Sequence, residues 1–474
     1  MVAWADRAWG NHRWADDCWV GQTASISDSW ATNSWSTHAW TDGAWIGLPD
    51  AETEAIIAEA WQATSAAACL FTATASNITF TNTAPLLYGA LDADDLDMAT
   101  AILNVDHHGA VPYDTDATAD IGTVINDLIA DLGSSKFGII YLPGRAYGLS
   151  TTIEVPKTCQ GFAMIGNGGW YYVNEASGYV GNASRLLWTG ANGGTMMTTA
   201  SHGTKISGIA FVGYAASSGS THTLADIDNP GIGLQLAYET GIGSGMMHIS
   251  DCSFAKCDVG LQFGDADNHN CDQSVADMVT FYNCGVSVKS LGTQQIGNTV
   301  RRAWAMHTPI MVDFRGGSLT LDGYDFTSTM TTLAHVQLSN TWALLNLNNV
   351  KIDSASRHST IIDGSDDNAS SRCQINVNQL WHMGSDPTSP TIELKNHMWL
   401  NITNSFQLPD NLIKCTGSTD RRCRVKVRDS SFGSGTPGDM VVEDVSQGPW
   451  TLDWTGCTSY QGATIEDGTT GEDS

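Results

Sequence analysis

The stretch GDADNHNCD, residues 264–272, combines three carboxylates with a histidine. Asp265, Asp267 and Asp272 are close enough in sequence for their side chains to gather around His269. Neighbouring carboxylates can share a proton and serve as acid and base, and a group of them can bind Ca²⁺. We take the three aspartates as candidate catalytic residues, and a solvated acidic loop is the alternative. The sequence predicts no cofactor, with calcium at this loop as the alternative.

Aromatic side chains offer a second kind of chemistry, because the face of a pyranose ring is apolar and stacks on an aromatic ring. Exposed aromatic residues beside polar ones are therefore candidates for binding carbohydrate, and a place in the core is the alternative for each. Asp313 with Arg315 is a further polar candidate, although a surface ion pair explains it equally well. The aromatic candidates are Trp170, Tyr171, Tyr172, Trp304 and Trp381.

Tryptophans recur at every fifth position near the start of the chain. Eight of the 17 tryptophans keep this step, which matches neither the helical nor the strand period. They could bury ~1,600–2,000 Å² in all, worth at most ~40–50 kcal/mol. We expect this segment to pack around a symmetry axis or against a docking partner, with a self-contained subdomain or a sugar-binding module as alternatives. The residues are Trp4, Trp9, Trp14, Trp19, Trp30, Trp35, Trp40 and Trp45.

Composition narrows the class of protein. Charged residues are 15% and hydrophobic residues 42% of the 474 residues, with 48 glycines, which is typical of a β-rich, turn-rich chain. The formal net charge of −28 argues against nucleic acid as a partner. Without an apolar run long enough to span a bilayer or a signal-peptide pattern after Met1, we expect synthesis in a cytoplasm and no membrane insertion.

The 11 cysteines form no C-x-x-C pair, which fits neither a zinc site nor a disulfide framework. Four of them lie among apolar residues, and we expect buried free thiols there. These are Cys252, Cys257, Cys271 and Cys284.

Two helices are predicted before the strand-rich region. One covers residues 51–68, which are rich in Ala and Glu, and the other is amphipathic and runs from Ala117 to Leu132. Asp116 or Thr118 is the expected cap at the start of the second helix, and Gly133 the expected cap at its end. The strands expected next are FGIIYLP at 137–143 and one through Ile153 and Val155.

An internal repeat follows. Apolar residues at alternate positions, followed by Asp or Asn, recur in segments that begin at Met247, Leu319, Leu345, Ile375, Leu400, Val425 and Leu452, and KISGIAF and VTFYNCGV extend the series back to about Lys205. From Leu319 onward the segments begin 25 to 30 residues apart. Such a step of 25 to 30 residues suits one coil of a parallel β-solenoid, with the alternate apolar residues in the core. The recurrent Asx residues are expected to be structural, because Asp and Asn tolerate a left-handed turn. These are Asp251, Asn283, Asn404 and Asp429.

The segment NVDHHGAVPYDTDATADIGTVINDLIADL, followed by GIIYLPGRAYGLSTTIEV, resembles the opening of right-handed parallel β-helices of the pectate-lyase superfamily. The resemblance implies an all-β, right-handed parallel β-helix at 104–460 with an N-terminal capping helix. Before it we expect a tryptophan-repeat attachment segment at 1–48 and a helical and polar connector at 49–103, and after it an acidic tail at 461–474. Many relatives are bacteriophage tailspikes or fibres, which implies a homotrimer that is mounted on a virion through its N-terminus.

Catalytic signatures of the superfamily are missing from the sequence. Neither the lyase pattern Arg-x-Pro-x-x-Arg nor the polygalacturonase set of motifs occurs, and Ser201-His202-Gly203 is only a faint likeness. The leading hypothesis is therefore a virion fibre that binds a host surface glycan. A polysaccharide hydrolase or lyase, and a purely structural capsid or tail protein, are the alternatives.

Overall fold

The computed structural model divides the chain into two compact units, Met1–Ala101 and Ile102–Ser474. The tryptophan repeat at 1–48 and the helix expected at 51–68 lie outside the described residues. Described are residues 71–73, 78–80, 101–133, 138–169, 173–174, 178–179, 183–213, 231–236, 244–265, 270–327, 331–338, 342–353, 359–364, 372–382, 392–395, 397–406, 413–416, 423–432, 440–444, 451–455, 458–459 and 465–466.

Short strands dominate these residues, together with one α-helix, α1 (Ile121–Leu132), and one 3-10 helix (Val105–His108). The strands in chain order are β1 Phe71–Ala73, β2 Ile78–Phe80, β3 Ala101–Asn104, β4 Gly138–Leu142, β5 Ala146–Leu149, β6 Ile153–Val155, β7 Ala163–Gly166, β8 Val173–Asn174, β9 Gly178–Tyr179, β10 Ser184–Trp188, β11 Thr195–Thr199, β12 Lys205–Ser207, β13 Ile209–Val212, β14 Ile232–Leu236, β15 Ser244–Gly245, β16 His248–Ser250, β17 Ser253–Ala255, β18 Val259–Phe263, β19 Cys271–Asp272, β20 Val275–Asp277, β21 Thr280–Tyr282, β22 Val286–Ser290, β23 Asn298–Met306, β24 Ile310–Phe314, β25 Gly317–Thr327, β26 Thr331–Val336, β27 Ala343–Asp353, β28 Ser359–Asp363, β29 Arg372–His382, β30 Ile392–Lys395, β31 His397–Thr403, β32 Ile413–Thr416, β33 Arg424–Arg428, β34 Ser431–Phe432, β35 Met440–Asp444, β36 Thr451–Thr455, β37 Thr458–Ser459 and β38 Ile465–Glu466.

Each coil of the second unit contributes three strand segments to three parallel sheets. Sheet 1 begins with β4, β7, β12, β16 and β20, and sheet 2 begins with β5, β10, β13, β17 and β21. From β23 to β29 one long strand per coil crosses the bend between them and pairs in both sheets. Sheet 3 has 12 strands, from β6 to β38. Parallel pairing between successive coils confirms a parallel β-helix.

The repeat read from the sequence is the register of sheet 1. Leu319 pairs with Leu345, Leu345 with Ile375, and Ile375 with Leu400. Leu400 then pairs with Val425, and Val425 with Leu452. Five of these side chains are buried in the core: Leu319, Leu345, Ile375, Leu400 and Val425. The coil length and the inward face were therefore both predicted correctly.

Inward side chains stack from coil to coil and fill the core. Phe211, Phe254 and Phe281 stack with ring centroids 5.3 Å apart, and Tyr324 continues the column 6.4 Å beyond Phe281. Offset aromatic pairs of this kind add about 0.5–1.5 kcal/mol each beyond area burial. This column of stacked rings spans five coils, because the coil of β23 lies between Phe281 and Tyr324.

The four cysteines expected to be buried free thiols are buried free thiols. Burial raises the pKa of Cys252 and of Cys271 to about 12, so neither is a thiolate at neutral pH. The pKa of Cys257 is also raised, first by its hydrogen bond with the Cys284 thiol and then by burial. These thiols therefore serve as small apolar side chains.

Helix α1 covers the first coil, and its start differs from the expected one. Asp120 is the N-cap, because its carboxylate accepts hydrogen bonds from the backbone N–H groups of Gly122 and Thr123. The expected caps are wrong: Asp116 accepts from the backbone and hydroxyl of Thr118 in the preceding turn, at 2.8 and 2.7 Å. Gly133 closes the helix as predicted, with its N–H donating to Ile129.

Within the part of the chain that the structure describes, no helix is long and apolar enough to cross a membrane.

Candidate functional site

A column of residues in left-handed backbone conformation marks the bend between sheets 1 and 2. The four Asx residues predicted to be structural all have positive φ, and three of them, Asp251, Asn404 and Asp429, lie in this column. Met278, Arg302 and Gln379 occupy the same position in other coils, with φ of 54°, 51° and 59°. The complete column is Gly208, Asp251, Met278, Arg302, Gly323, Asn349, Gln379, Asn404 and Asp429.

Left-handed backbone is unfavourable for residues other than Gly, Asn and Asp. Strained positions of this kind concentrate where a protein binds or reacts, since elsewhere a better-suited residue is available. Two of the three exceptions, Met278 and Arg302, are consecutive in the column. They lie in a groove.

The groove has a volume of about 740 Å³ and runs beside the bend. Glycines form one wall, since a Cβ at Gly166 would lie 2.2 Å from the carbonyl oxygen of Gly208, and one at Gly169 would lie 2.1 Å from that of Asp251. The side chains of Thr280 and Trp304 line it as well. Backbone on one side and polar, charged and aromatic side chains on the other make a groove suited to a polar ligand.

An ion-pair cluster supports the groove at Arg302. The buried carboxylate of Asp277 accepts hydrogen bonds from Nε and Nη2 of Arg302, the former at 2.7 Å, and lies 2.9 Å from Nη2 of Arg301. These arginines lower the pKa of Asp277, the hydrogen bond from Arg302 contributing most. Asp277 is therefore ionised at neutral pH, and it holds the arginines rather than donating a proton.

The outer face of sheet 2 continues from the groove as a row of side chains in register. Trp304 pairs with Asp325, Asp325 with Lys351, and Lys351 with Trp381. Phe406 bridges to Trp381 in the next coil. Trp304 and Trp381 are three coils apart, or roughly 14 Å. We call Trp304, Asp325, Lys351, Trp381 and Phe406 the sheet 2 row.

Aromatic rings flank two charged residues along this row. The Lys351 ammonium lies 3.7 Å from Asp325, 3.5 Å from Asp353 and 5.7 Å from the ring centroid of Trp381. Trp381 is 44% exposed and Phe406 is 59% exposed. The row therefore offers apolar ring faces on either side of charged groups that can hydrogen-bond.

The structure brings together only some of the candidates taken from the sequence. Trp304 and Trp381 share the sheet 2 row, whereas Trp170, Tyr171, Tyr172, Asp267 and His269 lie outside the described residues. Asp272 accepts a hydrogen bond from the backbone N–H of Ile296 at 2.9 Å, which holds a turn. Neither Asp272 nor Asp265 is among the described residues that line the groove.

Asp313 and Arg315 form a tight ion pair on sheet 3. Arg315 donates to both carboxylate oxygens, at 2.5 and 3.0 Å, and Lys289 lies 3.8 Å away. The carboxylate is nearly buried, so the pair stabilises the sheet surface. Among the described residues no group of three His, Cys, Asp or Glu side chains is placed to hold a metal ion.

Sequence reasoning missed Asp277, Arg301 and Arg302. The signal was present, because Asp277 and Arg301 are one coil apart and pair directly, and Trp304 follows two residues after Arg302. An opposite charge one repeat length away predicts a cross-strand pair once the repeat is aligned. The repeat was traced back to about Lys205, but its steps were counted only from Leu319 onward, so the register of Asp277 and Arg301 was not predicted.

Three-segment parallel coils place the chain in the class of parallel β-helix proteins. No family model matches the chain, and no curated protein sequence matches it. Among solved structures it is similar to DFA-IIIase from Arthrobacter chlorophenolicus A6, with 13% identity, a TM-score of 0.46 and coverage of 78% of this chain and 87% of that one. It is also similar to the catalytic unit of a GH87 α-1,3-glucanase from Streptomyces thermodiastaticus strain HF3-3, with 10% identity, a TM-score of 0.44 and coverage of 76% and 69%.

Proposed function

We propose that this protein is a right-handed parallel β-helical virion fibre or tailspike that binds a host surface polysaccharide. It forms a homotrimer and docks on the particle through residues 1–48. The observation that supports glycan binding is the sheet 2 row, in which Trp304 and Trp381 flank Asp325 and Lys351 beside the groove.

The row and the groove suit an extended carbohydrate. Indole faces stack on pyranose rings, while the charged groups between them hydrogen-bond to hydroxyls. The distance of roughly 14 Å between the two indoles accommodates a short oligosaccharide along the helix axis. The groove volume of about 740 Å³ lies within the roughly 300–1,000 Å³ typical of ligand sites.

Binding without cleavage is the function that the described side chains favour. Asp277 is tied to two arginines and stays ionised, so it lacks the proton that a general acid must supply. Asp251 is the exposed carboxylate in the groove, and it keeps a polysaccharide depolymerase as the second candidate function.

The test is binding of the full-length protein to an array of bacterial capsular polysaccharides and lipopolysaccharides, followed by calorimetry on the best ligand. Trp381→Ala should weaken binding about tenfold, equivalent to about 1.4 kcal/mol, and Trp304→Ala should weaken it similarly. Met246→Ala is the control, since Met246 is 68% exposed at a different corner of the coil. Equal loss in the control, or no loss in either tryptophan variant, would refute the site.

Incubation of the protein with the best-binding glycan distinguishes the remaining candidate functions. Release of oligosaccharides by the wild-type protein that is abolished in Asp251→Asn would establish the depolymerase. An array without any bound glycan would leave the purely structural protein.

A further inference from the structure

Two tryptophans and two arginines form a second exposed cluster, at the edge of sheet 1. The Arg372 guanidinium lies 4.8 Å from the ring centroid of Trp342, and that of Arg424 lies 5.1 Å from Trp399. The two indoles meet edge to face at 6.5 Å. We call these four residues the Trp-Arg strip.

The strip follows the axis of the β-helix, because each residue comes from a different, consecutive coil. Trp342 immediately precedes β27, Arg372 begins β29, Trp399 lies in β31 and Arg424 begins β33. Trp399 and Arg424 pair directly. Tryptophan and arginine thus alternate over roughly 14 Å, three coil spacings.

The side chains of the strip are largely exposed, and their hydrogen-bonding and packing capacity is left open. Trp342 is 66% exposed, and both arginines are exposed. Within the described residues neither guanidinium has a carboxylate partner, although the chain contains 50 acidic residues. A guanidinium stacked on indole keeps its N–H edge free for bidentate binding of a carboxylate. Exposed Trp and Arg are also the residues that contribute most at protein interfaces.

Charged residues, three acidic and one basic, occur at the same heights on sheet 3. Asp363, Glu393, Lys414 and Glu443 follow one another in register. Along the chain, Glu393 in β30 follows Arg372 in β29, so the two belong to the same coil. Glu393 is half-buried and forms no ion pair within the described residues.

We propose that the Trp-Arg strip binds the outer face of sheet 3 on the next copy of this chain, with Arg372 pairing with that copy's Glu393. A rotation axis parallel to the β-helix axis keeps residues of one coil at one height, which brings Arg372 level with Glu393. The contact joins two different surfaces of the same chain, and such a contact closes into a trimeric ring when successive copies are related by a rotation of one third of a turn. This proposal rests on the homotrimer of the proposed function and names its interface.

Charge exchange tests the pairing in the full-length protein. Sedimentation velocity should show a trimer for the wild type and for Trp381→Ala, which alters the sheet 2 row instead. Arg372→Glu and Glu393→Arg should each shift the protein to monomer, because each places like charges together. The double variant, Arg372→Glu with Glu393→Arg, should restore the trimer, a result that misfolding cannot produce.

Four outcomes would overturn the proposal. A monomeric wild type would remove both this interface and the trimer of the proposed function. A trimer that survives both single variants, or a double variant that stays monomeric, would remove the interface alone. If Arg372→Glu abolishes binding on the glycan array while the trimer persists, the strip binds an acidic glycan and not a second copy of the chain. Glycan binding at Trp304 and Trp381 is measured independently of these results.

Discussion

Single residues in the bend column show how local strain and function are distributed. Asn349 and Asn404 take the left-handed conformation readily, and their amide groups donate to Asp322 and Asn378 in the preceding coil, at 3.0 and 3.1 Å. Met278 and Arg302 adopt the same conformation although neither residue type favours it, and both line the groove. Arg302 still donates to the preceding coil, to the carboxylate of Asp277 at 2.7 Å. Gln379 is unsuited to it as well but does not line the groove.

Gln379→Asn should therefore stabilise the β-helix. Asparagine tolerates a φ of 59° far better than glutamine, and the gain should be roughly 1 kcal/mol in the free energy of unfolding. Urea denaturation measures it. Asn404→Gln is the matched control, and it should lose a similar amount because it combines strain with the loss of the bond to Asn378. If both variants change stability in the same direction, strain at this bend is not the cause.

His382 makes stability depend on pH. It faces the core and is 2% exposed, and burial lowers its pKa to about 4. In the unfolded chain its pKa is near 6.5, so between pH 6.5 and 4 the unfolded state binds the proton and the folded state does not. Stability should fall by up to about 3 kcal/mol as pH decreases through this window.

The check is the urea midpoint of wild type and His382→Leu at pH 7.5 and pH 4.5. The wild type should lose more stability than the variant, because leucine has no proton to bind. The same loss in both proteins would assign the acid sensitivity to other groups.

At the scale of elements, Asp120 joins helix α1 to the first coil. Besides capping α1, its carboxylate accepts from the backbone N–H groups of Ser150 and Thr151 at 2.7 and 3.2 Å. Burial alone would raise the pKa of Asp120, but the hydrogen bonds outweigh it and lower the pKa to about 2. The carboxylate therefore stabilises the folded state above pH 3.8, and this contribution is lost as pH falls toward 2.

Asp120→Ala should destabilise the second unit by about 2–3 kcal/mol, from the lost cap and the two lost loop bonds. Asp116→Ala is the control, since Asp116 bonds only within its own turn and should change the midpoint of thermal unfolding little. Equal effects would mean that Asp120 does not link helix and coil.

How much of an element can be predicted depends on whether its cause is local. Alternation from Leu319 to Leu452 fixes coil length and inward face, and the left-handed Asx turns follow from residue type. The start of α1 was misplaced because Asp116 and Asp120 are both good caps in sequence. The choice between them comes from Ser150 and Thr151, which reach Asp120 only after the first coil has closed.

At the scale of the whole molecule, the candidate site depends on stacking. Trp304 and Trp381 are far apart in sequence, and only the register of four coils places them on one face. Their residue type was a sufficient signal to nominate each of them. Predicting that they share one row requires the number of residues in each intervening coil. The coil that contains Trp304 comes before Leu319, where the counted steps of the repeat begin.

The core of the β-helix lies entirely in the second unit, from Val105 to Val427 among the described residues. Removal of residues 1–48 should therefore leave the circular dichroism spectrum of the β-helix and its unfolding midpoint unchanged. The proposed docking through residues 1–48 predicts that incorporation into particles is lost, because in that proposal the particle buries the ~1,600–2,000 Å² of the eight tryptophans. Immunoblots of purified virions made with the truncated protein measure incorporation.

A variant with Trp4, Trp9, Trp14 and Trp19 replaced by Ser retains the length of the segment and should fail in the same way. Truncated protein that is incorporated normally would show that the β-helix itself carries the attachment surface.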